Sequence, residues 1–182
     1  MSQSLSGKSI AVLATDGFEQ SELESPRDHL LAEGATVHVI APDGQSSIRG
    51  WKGKDWGQQV RVDKALSAAK ADDYDALVLP GGVINPDKLR VDAAALSLIK
   101  AFASAGKPVA AICHGPWLLA ETGLVSGKRV TSWPSLKTDL GNAGGKWEDS
   151  AVVVDQGLIT SRNPDDLPAF NKAIVEAIAS PA

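Results

Sequence analysis

Lys107-Pro108-Val109-Ala110-Ala111-Ile112-Cys113-His114-Gly115-Pro116-Trp117-Leu118-Leu119 decides the fold. An apolar β-type run ends at Cys113, and a helix-type pattern begins within three residues. A strand buried on both faces of a parallel sheet is apolar throughout rather than alternating. The junction has the layout of a nucleophile elbow, a sharp strand-to-helix turn that lifts one side chain above the sheet. The usual pattern is Gly-x-Ser-x-Gly; Ala111-Ile112-Cys113-His114-Gly115 has alanine at the first glycine. Cys113 is the chain's one cysteine. Amide N–H groups and the dipole of the following helix favour thiolate over thiol, and thiolate is the nucleophile. A lone cysteine also reads as a small buried hydrophobe. The elbow and the His-Gly-Pro after it favour the nucleophile.

Outward from this turn the chain alternates strands and helices. Lys8–Ala14, Thr36–Ala41 and Asp75–Leu79 read as strands, with Pro80-Gly81-Gly82 ending the last. Glu22 to Glu33 carries Leu23, Leu30 and Leu31 at helical spacing, closed by Gly34 as a C-cap. Gly50, Trp51, Gly53, Trp56 and Gly57 punctuate an irregular or hairpin segment up to Val62. A helix is expected from about Pro86 to Ala105, with Pro86 in its first turn. Beyond the elbow helix, which runs to Gly123, short strands fall near Arg129–Thr131, Ala151–Val154 and Leu158–Thr160. Asn163-Pro164-Asp165-Asp166 introduces a last helix to about Ala179. The pattern is an α/β three-layer sandwich with a mostly parallel sheet.

A length of 182 residues suits one domain, expected to span 1–182. Hydrophobic content of 43% with 22% charged residues is that of a water-soluble globular chain. No apolar stretch approaches the ~18 residues of a membrane span, and the first residues lack the pattern of a signal peptide. One cysteine permits no intrachain disulfide, which suits a reducing cytoplasm. Net charge of −4 and a pI near 5.3 argue against nucleic acid as the main partner, which needs clustered Lys and Arg. The best such cluster, Arg49, Lys52 and Lys54, is diluted by Asp55 and glycines. His29 and His38 are scattered and read as structural. With no zinc-ligand spacing, Gly-x-Gly-x-x-Gly or Walker loop, neither metal nor cofactor is expected.

Sites in such sheets lie beyond the carboxyl ends of the strands, where the loops Asp16–Glu22, Pro80–Arg90 and Cys113–Trp117 converge. Gly81-Gly82 allows close backbone approach, and the Gly82 amide with that of His114 suits an oxyanion hole. Glu22 either complements the helix dipole or sits beside the thiol, a place it fits better than Glu19. His114 adjoins Cys113, and neighbouring side chains at a tight turn diverge, so a general-base role depends on geometry.

Ala110-Ala111-Ile112-Cys113-His114-Gly115-Pro116, Leu79-Pro80-Gly81-Gly82 and Asp16-Gly17-Phe18-Glu19 with Glu22 resemble the PfpI family, the intracellular protease I group of the ThiJ/PfpI superfamily. The tail Thr160–Phe170 is similar to its stress-linked bacterial members. The resemblance covers Ile10 to Ile178 and implies a flavodoxin-like, class I glutamine amidotransferase-like fold. It implies Cys113 as nucleophile, His114 as its partner and Glu22 as the carboxylate beside the thiol. Protease members take an acidic third residue from a neighbouring subunit, in the loop after Pro-Gly-Gly. The matching position is Asp87, one methylene shorter than glutamate and displaced by an extra residue in Val83-Ile84-Asn85-Pro86. Trp117 stands where many relatives carry a polar residue. Three readings follow: an enzyme of glyoxalase or deglycase type acting on small carbonyl compounds, an intracellular cysteine peptidase, or a stress protein whose Cys113 senses peroxide. A homodimer or higher homo-oligomer is expected.

Overall fold

The computed structural model describes residues 4–180. The chain begins β1 (Ser9–Leu13), β2 (Phe18–Glu19), α1 (Gln20–Ala32), β3 (Thr36–Ala41), β4 (Ser47–Lys52), β5 (Asp55–Arg61) and β6 (Lys64–Ala65). β7 (Ala76–Leu79) leads into α2 (Ile84–Leu89) and α3 (Ala93–Ser104), and β8 (Val109–Ile112) into α4 (Trp117–Glu121). Then come β9 (Arg129–Val130), α5 (Lys137–Asn142), β10 (Lys146–Trp147), β11 (Val153–Asp155), β12 (Leu158–Ser161) and α6 (Leu167–Ala179).

Seven strands form the central sheet in the order β11-β12-β8-β7-β1-β3-β6. Every pairing in it is parallel except β11 with β12. Because successive side chains of a strand point to opposite faces, one apolar run feeds two cores. Ile10 and Val12 pack with Leu23, Leu30, Phe170 and Ile174 of α1 and α6. Ala11 and Leu13 pack with Ile99, Phe102, Leu118 and Leu119 of α3 and α4. The expected three-layer architecture with a mostly parallel sheet is therefore the observed one. Among the described residues no helix is long and apolar enough to cross a membrane.

One local reading needs correction and another is decided. The single helix expected from Pro86 to Ala105 is two helices. Asp92 breaks it by capping the second, its carboxylate accepting from the Ala94 and Ala95 N–H groups at 2.9 and 3.2 Å, as N-cap aspartates do. Of the two alternatives for the segment around Gly50–Val62, the hairpin holds: β4 and β5 pair antiparallel, with a register shift between Arg49 and Trp51. Parallel pairing of β2 with β4 sets Glu19 opposite Trp51 and draws the hairpin towards the carboxyl ends of the central strands.

Candidate active site

Cys113 follows the last residue of β8 and has φ 63, a left-handed backbone that costs a residue with a Cβ about 1–3 kcal/mol. The surrounding hydrogen bonds hold it there. Its N–H donates to Ser161 O at 3.0 Å, and the Gly115 N–H closes the turn onto Ile112 O at 2.9 Å. A Cβ on Gly115 would lie 2.7 Å from Leu79 O, so the turn has room only for glycine.

The loop after β7 comes equally close. A Cβ on Gly81 would stand 2.6 Å from Glu22 Oε1 and 2.8 Å from the Cys113 Cβ. That intimacy lets the Gly82 and His114 N–H groups both donate to the sulfur. Asn85 clips the loop in place: its Nδ2 donates to Pro80 O and Gly81 O at 3.0 and 3.1 Å, and its Oδ1 accepts from the Thr15 N–H at 2.8 Å.

Glu22, in the first turn of α1, is fully buried. Its Oε1 accepts from the Gly81 N–H at 3.0 Å. Its Oε2 has no nitrogen or oxygen partner, and the carboxyl meets the Cys113 thiol. Burial, with the nearby Glu19 charge adding, pushes Glu22 up to about 8 against the opposing Gly81, Cys113 and Gly82 contacts. Burial likewise pushes the Cys113 thiol up, a Glu22 charge would push it further, and the Gly82 and His114 N–H groups oppose. The helix-terminus expectation of a depressed thiol pKa is thus overturned. α4 starts only at Trp117 and is five residues long, so its dipole is weak and too distant to outweigh burial beside a carboxyl.

His114 turns its Nδ1 onto Sγ at 3.2 Å, so adjacency at the turn does not make the two side chains diverge. The ring stacks on Trp133, with centroids 5.8 Å apart, and meets Trp117 edge-on at 5.1 Å. Burial lowers the imidazole's proton affinity. At neutral pH the site therefore rests as thiol, carboxylic acid and neutral imidazole.

These groups open into a pocket of about 230 Å³ whose walls include Glu19, Trp51, Val83, Trp133 and Pro164. The structure brings Cys113, His114, Glu22 and the Gly82 amide together. Asp87 is not among them: it is exposed on α2 and does not line the pocket. Trp117 is not a wall either. Its Nε1 donates to Asp139 at 2.9 Å and the Arg90 guanidinium lies over its ring. Sequence reasoning missed Asn85, Trp133 and Pro164. For Asn85 the available signal was a polar residue among apolar ones just after Pro-Gly-Gly; for Trp133 there was none, since only the tertiary fold brings it to His114.

The DJ-1/PfpI family model matches residues 8–177. The chain is 44% identical over 165 residues to the "Putative cysteine protease YraA" of Bacillus subtilis, covering 91% of this chain and 95% of that one. With "Protein/nucleic acid deglycase 2" of Escherichia coli it shares 41% identity over 174 residues, covering 95% and 99%. The crystal structure of Drosophila melanogaster DJ-1beta superposes with a TM-score of 0.86 at 33% identity, covering 98% of this chain and 91% of that one.

Proposed function

This chain belongs to the DJ-1/PfpI family, and from that premise we propose that it is a cysteine-dependent enzyme acting on reactive carbonyl compounds or glycated adducts, of glyoxalase or deglycase type. One observation carries the reading: the Glu22 carboxyl lies fully buried against the Cys113 thiol, with Oε1 taken by the Gly81 N–H and Oε2 left without a nitrogen or oxygen partner.

With an aldehyde such as methylglyoxal, neutral His114 Nδ1 takes the thiol proton as Sγ forms a bond to the aldehyde carbon. The developing oxyanion is met by the Gly82 and His114 N–H groups, and protonated Glu22 supplies the proton that completes the hemithioacetal. The resulting Glu22 carboxylate carries the proton from the former aldehyde carbon to the neighbouring carbonyl carbon, while the hydroxyl proton passes to the neighbouring oxygen, so that the ketone becomes an alcohol and the former aldehyde carbon a thioester. Water then adds its hydroxyl to the thioester carbon and expels Sγ, which regains its proton from His114 while the other water proton returns to Glu22, releasing the hydroxy acid. The pocket's small volume fits such a substrate.

A cysteine peptidase is the second reading, favoured by the 3.2 Å contact between Sγ and His114 Nδ1 and the similarity to YraA. A dimer or larger homo-oligomer belongs to either reading, because Asp87, exposed and outside its own chain's pocket, has access to a pocket only on a neighbouring copy. A reducing cytoplasm suits the free thiol. The test is lactate formation from methylglyoxal against cleavage of casein and a peptide panel, each with Cys113→Ser as control. Lactate that disappears in Cys113→Ser supports the proposal. Cysteine-dependent peptide cleavage without lactate overturns it in favour of the peptidase, and rapid peroxide oxidation with neither activity leaves Cys113 a sensor.

A further inference from the structure

Resting on the reading of this pocket as a reactive-carbonyl site, we propose that Glu19 determines its charge specificity: a negative charge at the mouth that admits neutral or cationic carbonyl compounds and refuses anionic ones such as α-oxo acids.

The lining carries Glu19 and Glu22 and no Lys or Arg, and its one imidazole, His114, stacks on Trp133 and is kept neutral by burial. Lys52 and Lys54, on the turn of the β4–β5 hairpin, are exposed and do not line the pocket. Arg162, two residues before the Pro164 wall, is tied to Asp166 and Asp149. Glu19 itself makes no ion pair among the described residues. It is held at the mouth by position: its N–H donates to Gly81 O at 3.3 Å, and β2–β4 pairing sets it opposite Trp51. Of two carboxyls that repel each other, the more exposed one carries the charge; Glu22 is sealed and Glu19 is not. A carboxylate entering here meets Glu19 with no counter-ion. A cation meets Glu19 together with the aromatic walls Trp51 and Trp133, which attract positive charge.

Cys113 alkylation tests this without depending on turnover. Iodoacetamide and iodoacetate are similar in size and differ in charge. Their rate ratio on Cys113, normalised to a small free thiol, is expected to favour the neutral reagent by about five- to tenfold. Glu19→Gln should bring the ratio close to that of the free thiol, Glu19→Lys should reverse it, and high salt should shrink it in the unaltered protein. Changes in thiol ionisation cancel, because both reagents need the same thiolate. In the carbonyl arm, Glu19→Gln should raise glyoxylate turnover relative to methylglyoxal. A ratio that already equals the free thiol's, or that ignores both Glu19→Gln and salt, overturns the proposal. A ratio that responds while no carbonyl is turned over overturns the proposed function and leaves the charge filter standing.

Discussion

Glu22 and Asp166 are both shut off from water, at 0% and 4% exposure, yet Glu22 is held neutral and Asp166 ionised. Burial pushes Asp166 up, but the Arg162 side chain and N–H more than offset it and hold the carboxyl below its ordinary value. Arg162 Nε and Nη2 both donate to it at 2.9 Å. Glu22 has only backbone N–H groups and the thiol beside it and, among the described residues, no ion pair, so it keeps its proton. Burial alone does not set the charge of a carboxyl; the presence of a partner does. Asp166 fastens the loop that carries Pro164, a structural task. Glu22 is left unpaired beside a nucleophile, where an available proton is chemistry.

The largest effect that would break this contrast lies at Glu22. Glu22→Gln is expected to cut lactate formation by about 10²–10⁴-fold, the usual worth of a positioned acid or base, while the protein melts no earlier than the unaltered chain at pH 8. Turnover that survives would make Glu22 a mere helix-start residue. Asp166→Asn should do the reverse. Breaking a buried pair costs about 3–5 kcal/mol; with Arg162 partly exposed, a loss of about 1–3 kcal/mol is expected, read as a lower Tm with turnover largely kept.

The pH dependence of Tm sharpens the comparison with a smaller effect. Folded Glu22 binds a proton that the unfolded chain releases, so its contribution to stability falls as pH rises from 4.5 to about 8. Asp166, depressed when folded, contributes stability above its unfolded value of 3.8 that is lost as pH falls through its folded value. Glu22→Gln should flatten the first slope and Asp166→Asn the second. A Glu22→Gln profile parallel to that of the unaltered protein would mean that the carboxyl is ionised when folded. The smallest effect belongs to Asp87→Ala, expected to shift stability by less than about 0.5 kcal/mol, as an exposed residue does, and to leave Cys113 alkylation unchanged. Turnover lost in that variant and regained on mixing with Cys113→Ser subunits would place Asp87 at a neighbouring copy's pocket.

The sheet was legible because Ile10–Leu13, Ala76–Leu79 and Val109–Ile112 are buried on both faces and so apolar throughout. The elbow was legible because strand, cysteine and Gly-Pro are contiguous. The helix after β7 was misread because an aspartate inside an apolar pattern looks like an exposed position until its cap bonds to Ala94 and Ala95 are seen. The state of the thiol was misread for a related reason: a helix start is local and visible, whereas the carboxyl that opposes it arrives from α1, 91 residues away in sequence.

Asn85 and Asn163 each organise a loop at the pocket's rim, Asn85 as the clip between Thr15 and Pro80-Gly81 and Asn163 through its bond to the Asp165 N–H at 3.0 Å. Both are followed by proline. Asparagine ages by closing a succinimide ring through the nitrogen of the next residue, and a proline nitrogen has no hydrogen to give up. The two side chains that hold this site's shape are therefore the two best protected from slow deamidation, and the pocket should keep its geometry over the lifetime of a chain that is not promptly replaced.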